Sequence, residues 1–110
     1  MARPVNRGEI WTYRFKPPDK RRPVVVLTRQ TVIAKLHSVT IAPITSTIRG
    51  GPGEVSVGID EGLKRDCVVN LDQIQTVEQA QLIGYIGSLD AAKMRQLCRA
   101  LAIATGCDTP

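Results

Sequence analysis

The sequence is short of several things, and each shortage narrows the field. No uninterrupted apolar run exceeds five residues, Ala100 to Ala104. A helix that crosses a bilayer needs about 20, so a membrane-spanning helix is excluded. The first residues carry Arg3 and Arg7 but no apolar stretch of the kind a secretory signal needs. Cysteines number three, Cys67, Cys98 and Cys107, and an odd count without a signal predicts free thiols in a reducing cytosol. Histidine occurs once, as His37. Together with the cysteines it could formally ligate zinc, but structural zinc sites use closely spaced pairs such as C-x₂-C. No such pair exists, and neither a metal nor another cofactor is expected. The turn Gly50-Gly-Pro-Gly53 lacks the Lys-Ser/Thr of a phosphate-binding loop. Aromatic residues are four: Trp11, Tyr13, Phe15 and Tyr85. Trp11 is expected in the core, and Tyr13 and Phe15 stand next to the loop that follows.

What is present fits one domain spanning 1–110. Hydrophobic residues make up 43% and charged residues 23%, a globular composition. A chain of this size buries roughly 65% of its unfolded surface, enough for a core without staples. The net charge of +5 is unevenly placed. Residues 1–22 carry seven Lys/Arg against two Asp/Glu, whereas residues 23–110 hold eight of each. All the excess positive charge therefore lies in the first fifth of the chain. That clustering fits a polyanion or an acidic partner, or simply a solvated basic surface.

Periodicity predicts short strands followed by one helix. Glu9 to Phe15 alternates as a strand, and Lys16-Pro-Pro-Asp-Lys-Arg21 is a loop. Pro23 to Thr28 reads as a buried strand. Gln30 to Leu36 is ambiguous, with room for a helical turn. Ser38 to Thr45 is a strand that Pro43 pushes towards an edge or a bulge. Glu54 to Val57 is a short strand, Cys67 to Val77 a long one, and Ile83 to Gly87 the last. From Asp90 the apolar residues Met94, Leu97, Cys98 and Leu101 follow a helical period. Ser88 is the expected N-cap and Gly106 the expected C-terminal cap. The expected fold is mainly β with α: a small curled antiparallel barrel packed on a C-terminal amphipathic helix.

Six segments then recur in a familiar order: Arg7-Gly-Glu-Ile-Trp11, Arg22-Pro-Val-Val-Val26, Pro43-Ile-Thr-Ser46, Gly62-Leu63 before Asp66-Cys-Val-Val69, Asp72-Gln-Ile-Gln-Thr-Val77, and Ile86-Gly-Ser-Leu89. Together they resemble the MazF/PemK toxins of bacterial toxin–antitoxin systems over about residues 7 to 105. The resemblance implies an SH3-like or CcdB-like barrel that forms a homodimer. It implies sequence-specific, metal-independent cleavage of single-stranded RNA, mainly messenger RNA. It also implies a MazE-like antitoxin whose acidic tail covers the RNA groove.

Metal-independent cleavage uses the substrate's own 2′-hydroxyl, which attacks the adjacent phosphorus in line and expels the 5′-oxygen. A 2′,3′-cyclic phosphate and a 5′-hydroxyl remain. The site must stabilise charge on the phosphoryl oxygens and move two protons. Arg22 is the expected catalytic cation, because its planar, permanently charged fork matches phosphate oxygens and it matches the arginine of the family's Arg-Pro. A solvated loop arginine is the competing reading. Thr45 matches the family's catalytic threonine, although strand propensity alone would also place a threonine there. Ser46, Asp72, Lys20 and Arg21 are the expected substrate contacts. Asp72, in Asp-Gln-x-x-Thr, is a candidate base or a turn-capping carboxylate; His37 matches no catalytic position. The loop 16–21 is shorter than in many relatives and lacks their glutamate, which bears on the target sequence. Asn70, Gln75 and Cys67 also depart from common residues. Two other functions share the fold: a non-catalytic RNA- or antitoxin-binding barrel, and a CcdB-like gyrase poison. The latter acts through a Trp-Gly-Ile C-terminus, whereas this chain ends Gly-Cys-Asp-Thr-Pro110.

Overall fold

The computed structural model describes residues 3–17 and 20–109. Seven strands and two helices follow in order: β1 (Glu9–Arg14), β2 (Arg21–Val26), α1 (Gln30–Ile33), β3 (Ser38–Thr45), β4 (Glu54–Val57), β5 (Cys67–Asn70), β6 (Gln75–Glu78), β7 (Leu82–Ser88) and α2 (Ala91–Thr105). All strand pairings are antiparallel. The spatial order is β4-β5-β3-β2-β1-β7, with β6 added to β3. The sheet is strongly curled but does not close into a ring of hydrogen bonds.

Alternation along the strands feeds two cores, one on each face. Ile10, Val25, Ala42 and Ile44 join Val55, Val57, Val69 and Leu71 under Leu97 and Ala100 of α2. On the other face Trp11, Val24, Val26, Val39, Ile41 and Val77 pack together with Ile33 from α1 and Leu82. Each fully buried Val, Ile or Leu contributes about 1.5–3 kcal/mol, so the two faces secure β1, β2 and β3 from both sides. Trp11 lies in the core as expected, and Tyr13 and Phe15 pack edge-to-face with ring centres 4.7 Å apart.

Four local expectations need correction. The single long strand over Cys67 to Val77 is two strands separated by a 3₁₀ turn at Leu71–Gln73. The Asn70 side chain accepts the Asp72 N–H at 3.0 Å, an Asx turn that breaks the extended run. As a result β5 pairs with Ile44 and Thr45, while β6 pairs with Ser38 to Ile41 of the same strand. Pro43 is accordingly not on an edge: it sits in the interval between those partners, where no donor is required, and faces Val24 on the other side. The N-cap of α2 is Asp90, whose Oδ1 accepts the Lys93 N–H at 2.8 Å. Ser88 stays in β7, opposite Glu9. The buried stripe of α2 runs through Leu97 and Ala100, and Cys98 lies exposed beside it. Gly106 ends the helix in the left-handed conformation, φ 75°, as its position predicts.

Where the curled sheet leaves an opening, two glycines bring backbones together. Gly62, at φ 97°, lies so close to β7 that a Cβ there would sit 2.7 Å from the Ile86 carbonyl oxygen. A Cβ on Gly87 would collide with the Glu61 carbonyl. The loop after β4 is thus pressed onto β7. No helix among the described residues is long and apolar enough to cross a membrane.

Candidate active site

That loop forms one wall of a cavity of about 790 Å³. β1 supplies Thr12, the start of β2 supplies Arg22 and Pro23, and the end of β3 supplies Ile44 and Thr45, continuing into Ser46 and Thr47. Gly62 to Arg65 and Cys67 come from the segment before and at the start of β5, and Ile86 from β7. The register explains the convergence: Thr12 is opposite Pro23, and Thr45 opposite Val68. Residues far apart in the chain therefore meet at one end of the curled sheet.

Thr45 Oγ1 accepts the Thr47 N–H at 3.1 Å, which leaves its own hydroxyl proton to donate. With Thr12, Ser46 and Thr47, four hydroxyls line the cavity. Its charged lining groups are Arg22, Lys64 and Arg65, all cationic. Among the described residues none of the three lies within ion-pair distance of a carboxylate; the ion pair found there joins Arg3 and Glu9. A concave surface with unpaired cations and hydroxyl donors is chemically suited to an anion with several oxygens.

Arg22, Thr45 and Ser46, selected from sequence, are brought together. Arg21 and Lys20 are exposed and do not line the cavity; Arg21 pairs with Arg14 at the end of the β1–β2 hairpin where the two strands are joined. Asp72 lies beyond the far end of β5, its carboxylate over Gly53 at the turn into β4. His37 is exposed and also outside the cavity. Thr12, Thr47, Lys64 and Arg65 are lining residues that the sequence reading did not single out. Lys64 and Arg65 stand inside the segment Gly62-Leu63…Asp66-Cys67, so the flanking motif carried a signal for them.

A second polar cluster has a different character. Glu9 is buried at the start of β1. It accepts the Trp11 indole N–H at 3.1 Å, the Asn6 N–H at 2.8 Å and Arg3 at 3.2 Å. Burial alone would raise its pKa, but these donors outweigh it and hold the carboxyl below the ordinary value. Arg3 also covers the Tyr85 ring at 3.8 Å. Every acceptor is occupied, so this is a structural anchor for the segment before β1.

The profile of the PemK-like, MazF-like toxins of type II toxin–antitoxin systems matches residues 6–105. The chain belongs to this family. The probable endoribonuclease MazF5 of Mycobacterium tuberculosis is 41% identical over 103 residues, covering 92% of this chain and 93% of that one. Endoribonuclease MazF3 of the same species is 42% identical over 90 residues, covering 82% and 87%. Among solved structures, the M. tuberculosis toxin MazF-mt6 superposes with a TM-score of 0.83 at 39% identity, covering 89% of this chain and 96% of that one. A mycobacterial endoribonuclease in complex with its cognate antitoxin gives 0.84 at 25% identity, covering 96% and 99%.

Proposed function

We propose that this chain is a sequence-specific endoribonuclease toxin that cleaves single-stranded RNA, chiefly messenger RNA, without a metal, and that a cognate antitoxin inhibits it. Family membership supports the class. The observation that carries the site is the meeting of Arg22 and Thr45, from different strands, in one cationic cavity. Arg22 holds the phosphoryl oxygens as charge builds on them, and the Thr45 hydroxyl donates to the same group. The substrate 2′-hydroxyl attacks phosphorus, the P–O5′ bond breaks, and the products are a 2′,3′-cyclic phosphate and a 5′-hydroxyl. Ser46 contacts the adjoining part of the strand.

Lys20 and Arg21 act outside the cavity. Arg14 and Arg21 face each other directly across the hairpin, and like charges so placed destabilise a sheet unless something neutralises them. An RNA backbone does so, and so does the acidic tail of a MazE-like antitoxin. The toxin works in the cytoplasm as a homodimer, a single toxin domain per chain. Asp72, beyond the far end of β5, stands outside the cavity and would meet only a part of the strand remote from the reacting phosphate.

The test is digestion of a long unstructured RNA in excess EDTA, with mapping of cut sites and end groups. Cuts at one short motif bearing cyclic phosphate ends, lost in Arg22→Ala, are expected. Intact RNA with salt-sensitive binding would replace this reading with a non-catalytic RNA-binding barrel.

A further inference from the structure

Arg22 alone leaves the cavity's positive charge unexplained, because Lys64 and Arg65, from a separate segment of chain, also line it. We propose that Lys64 and Arg65 form a second grip that holds the RNA backbone at phosphates flanking the scissile one, as positioning residues rather than readers of sequence. The inference rests on the ribonuclease reading for what fills the cavity, and on this structure for the grip itself.

Three observations carry it. First, both side chains are exposed and line the same cavity as Arg22 while belonging to a different segment of chain. Second, among the described residues neither is within ion-pair distance of an acid, although Asp60, Glu61 and Asp66 are sequence neighbours. Those three carboxylate residues line a separate cavity of about 440 Å³ together with Lys93. Third, the segment is held in place. Gly58 O accepts the Glu61 and Leu63 N–H groups at 3.0 and 3.1 Å, and the Gly58 N–H donates to Glu61 Oε1 at 2.6 Å. Gly62 and Gly87 then allow backbone-to-backbone packing against β7. A cation on a pinned loop loses less freedom on binding than one on a free loop, so its charge converts efficiently into affinity.

Cations brought to one cavity from two separate segments suit a strand that passes through, whose successive phosphates meet each set in turn. Arg22 acts on the phosphate that reacts, and its loss lowers kcat. Lys64 and Arg65 act on phosphates that do not react, and their loss raises KM.

The experiment compares the wild type, the Lys64→Gln/Arg65→Gln double variant and the charge-conserving Lys64→Arg/Arg65→Lys variant. Binding of a short unstructured single strand lacking 2′-hydroxyls, which cannot be cleaved by this route, is measured across a salt series. Each phosphate contact on a single strand contributes about 0.7 to the slope of log affinity against log salt. The double variant should flatten that slope by about 0.7 to 1.4, with KM for RNA raised at least tenfold, kcat changed far less, and the cut motif unaltered. The charge-conserving variant should restore the slope. An unchanged slope would overturn the proposal. A changed cut motif would overturn it in favour of base reading, and a fall in kcat alone would make these residues part of the chemistry. If the wild type leaves RNA uncut, the ribonuclease reading fails, while the binding series still decides whether the grip exists.

Discussion

The two cavities on either side of the loop before β5 share one residue, the buried Cys67, and little else. One is larger and lined by Arg22, Lys64 and Arg65 with four hydroxyls. The other is lined by Asp60, Glu61 and Asp66, with Lys93 as its single cation. Lys93 Nζ is already engaged, donating to the Ser56 carbonyl at 2.5 Å. A run of seven residues, 60 to 66, thus turns cations towards one side and carboxylates towards the other. A polyanion finds one entrance attractive and the next repellent. The contrast teaches that net charge is a poor guide to function here, because residues 23–110 are neutral overall and still complete a cationic site.

The comparison breaks most sharply at Arg22. Arg22→Ala should lower kcat by about 10²–10³-fold, about 3–4 kcal/mol of transition-state stabilisation, whereas Lys93→Ala in the acidic cavity should leave cleavage nearly unchanged. Single-turnover cleavage of one defined RNA measures both. Thr45→Val keeps the shape and removes the hydroxyl. A loss of about 10²-fold is expected, the lower end for one preorganised donor; a loss below twofold would assign Thr45 to strand packing.

Gly87→Ala attacks the backbone contact that presses the loop after β4 onto β7. Its methyl must push the Glu61 carbonyl away, which should destabilise the protein by about 1–3 kcal/mol. The thermal midpoint would then fall by several degrees, and KM should rise as Lys64 and Arg65 move.

Glu9→Gln is the control outside both cavities, neither of which Glu9 lines. The folded protein holds the Glu9 carboxyl below its ordinary value of 4.5. Its contribution is therefore present above that pH and fades as pH falls through the lowered folded value. The variant should be about 1–2 kcal/mol less stable at pH 7 and should lose part of the acid-induced drop, with cleavage at neutral pH retained. The smallest effect is expected from Asp60→Lys, which puts a cation among the acids. Nonspecific affinity for single-stranded RNA should rise less than tenfold and vanish at high salt, as a salt series on binding would show.

Much of the fold was legible because it follows from patterns of two and of 3.6 residues. β1, β2, β3, β4, β7 and α2 were placed to within a few residues for that reason. The break between β5 and β6 was not, since it turns on one hydrogen bond between the Asn70 side chain and the Asp72 backbone. Pro43 misled for a related cause: its missing donor matters only if a partner strand stands opposite, and which strand does so is a tertiary fact. Arg22, Thr45 and Ser46 were reachable through short motifs in order. Lys64 and Arg65 gain meaning only when the sheet curls and two glycines press their loop against β7, and charge counting assigned the positive site wholly to the first 22 residues.

Among the described residues β6 pairs only with β3, and three of its four residues are exposed. Its amides are therefore expected to open and reclose more readily than those of β3, which is paired on both sides. It leans on Ser38 to Ile41, whereas Ile44 and Thr45, at the other end of the same strand, are paired with β5. Breathing at β6 is thereby confined to one half of β3. The half that presents Thr45 to the cavity stays clamped on the slower clock of the core.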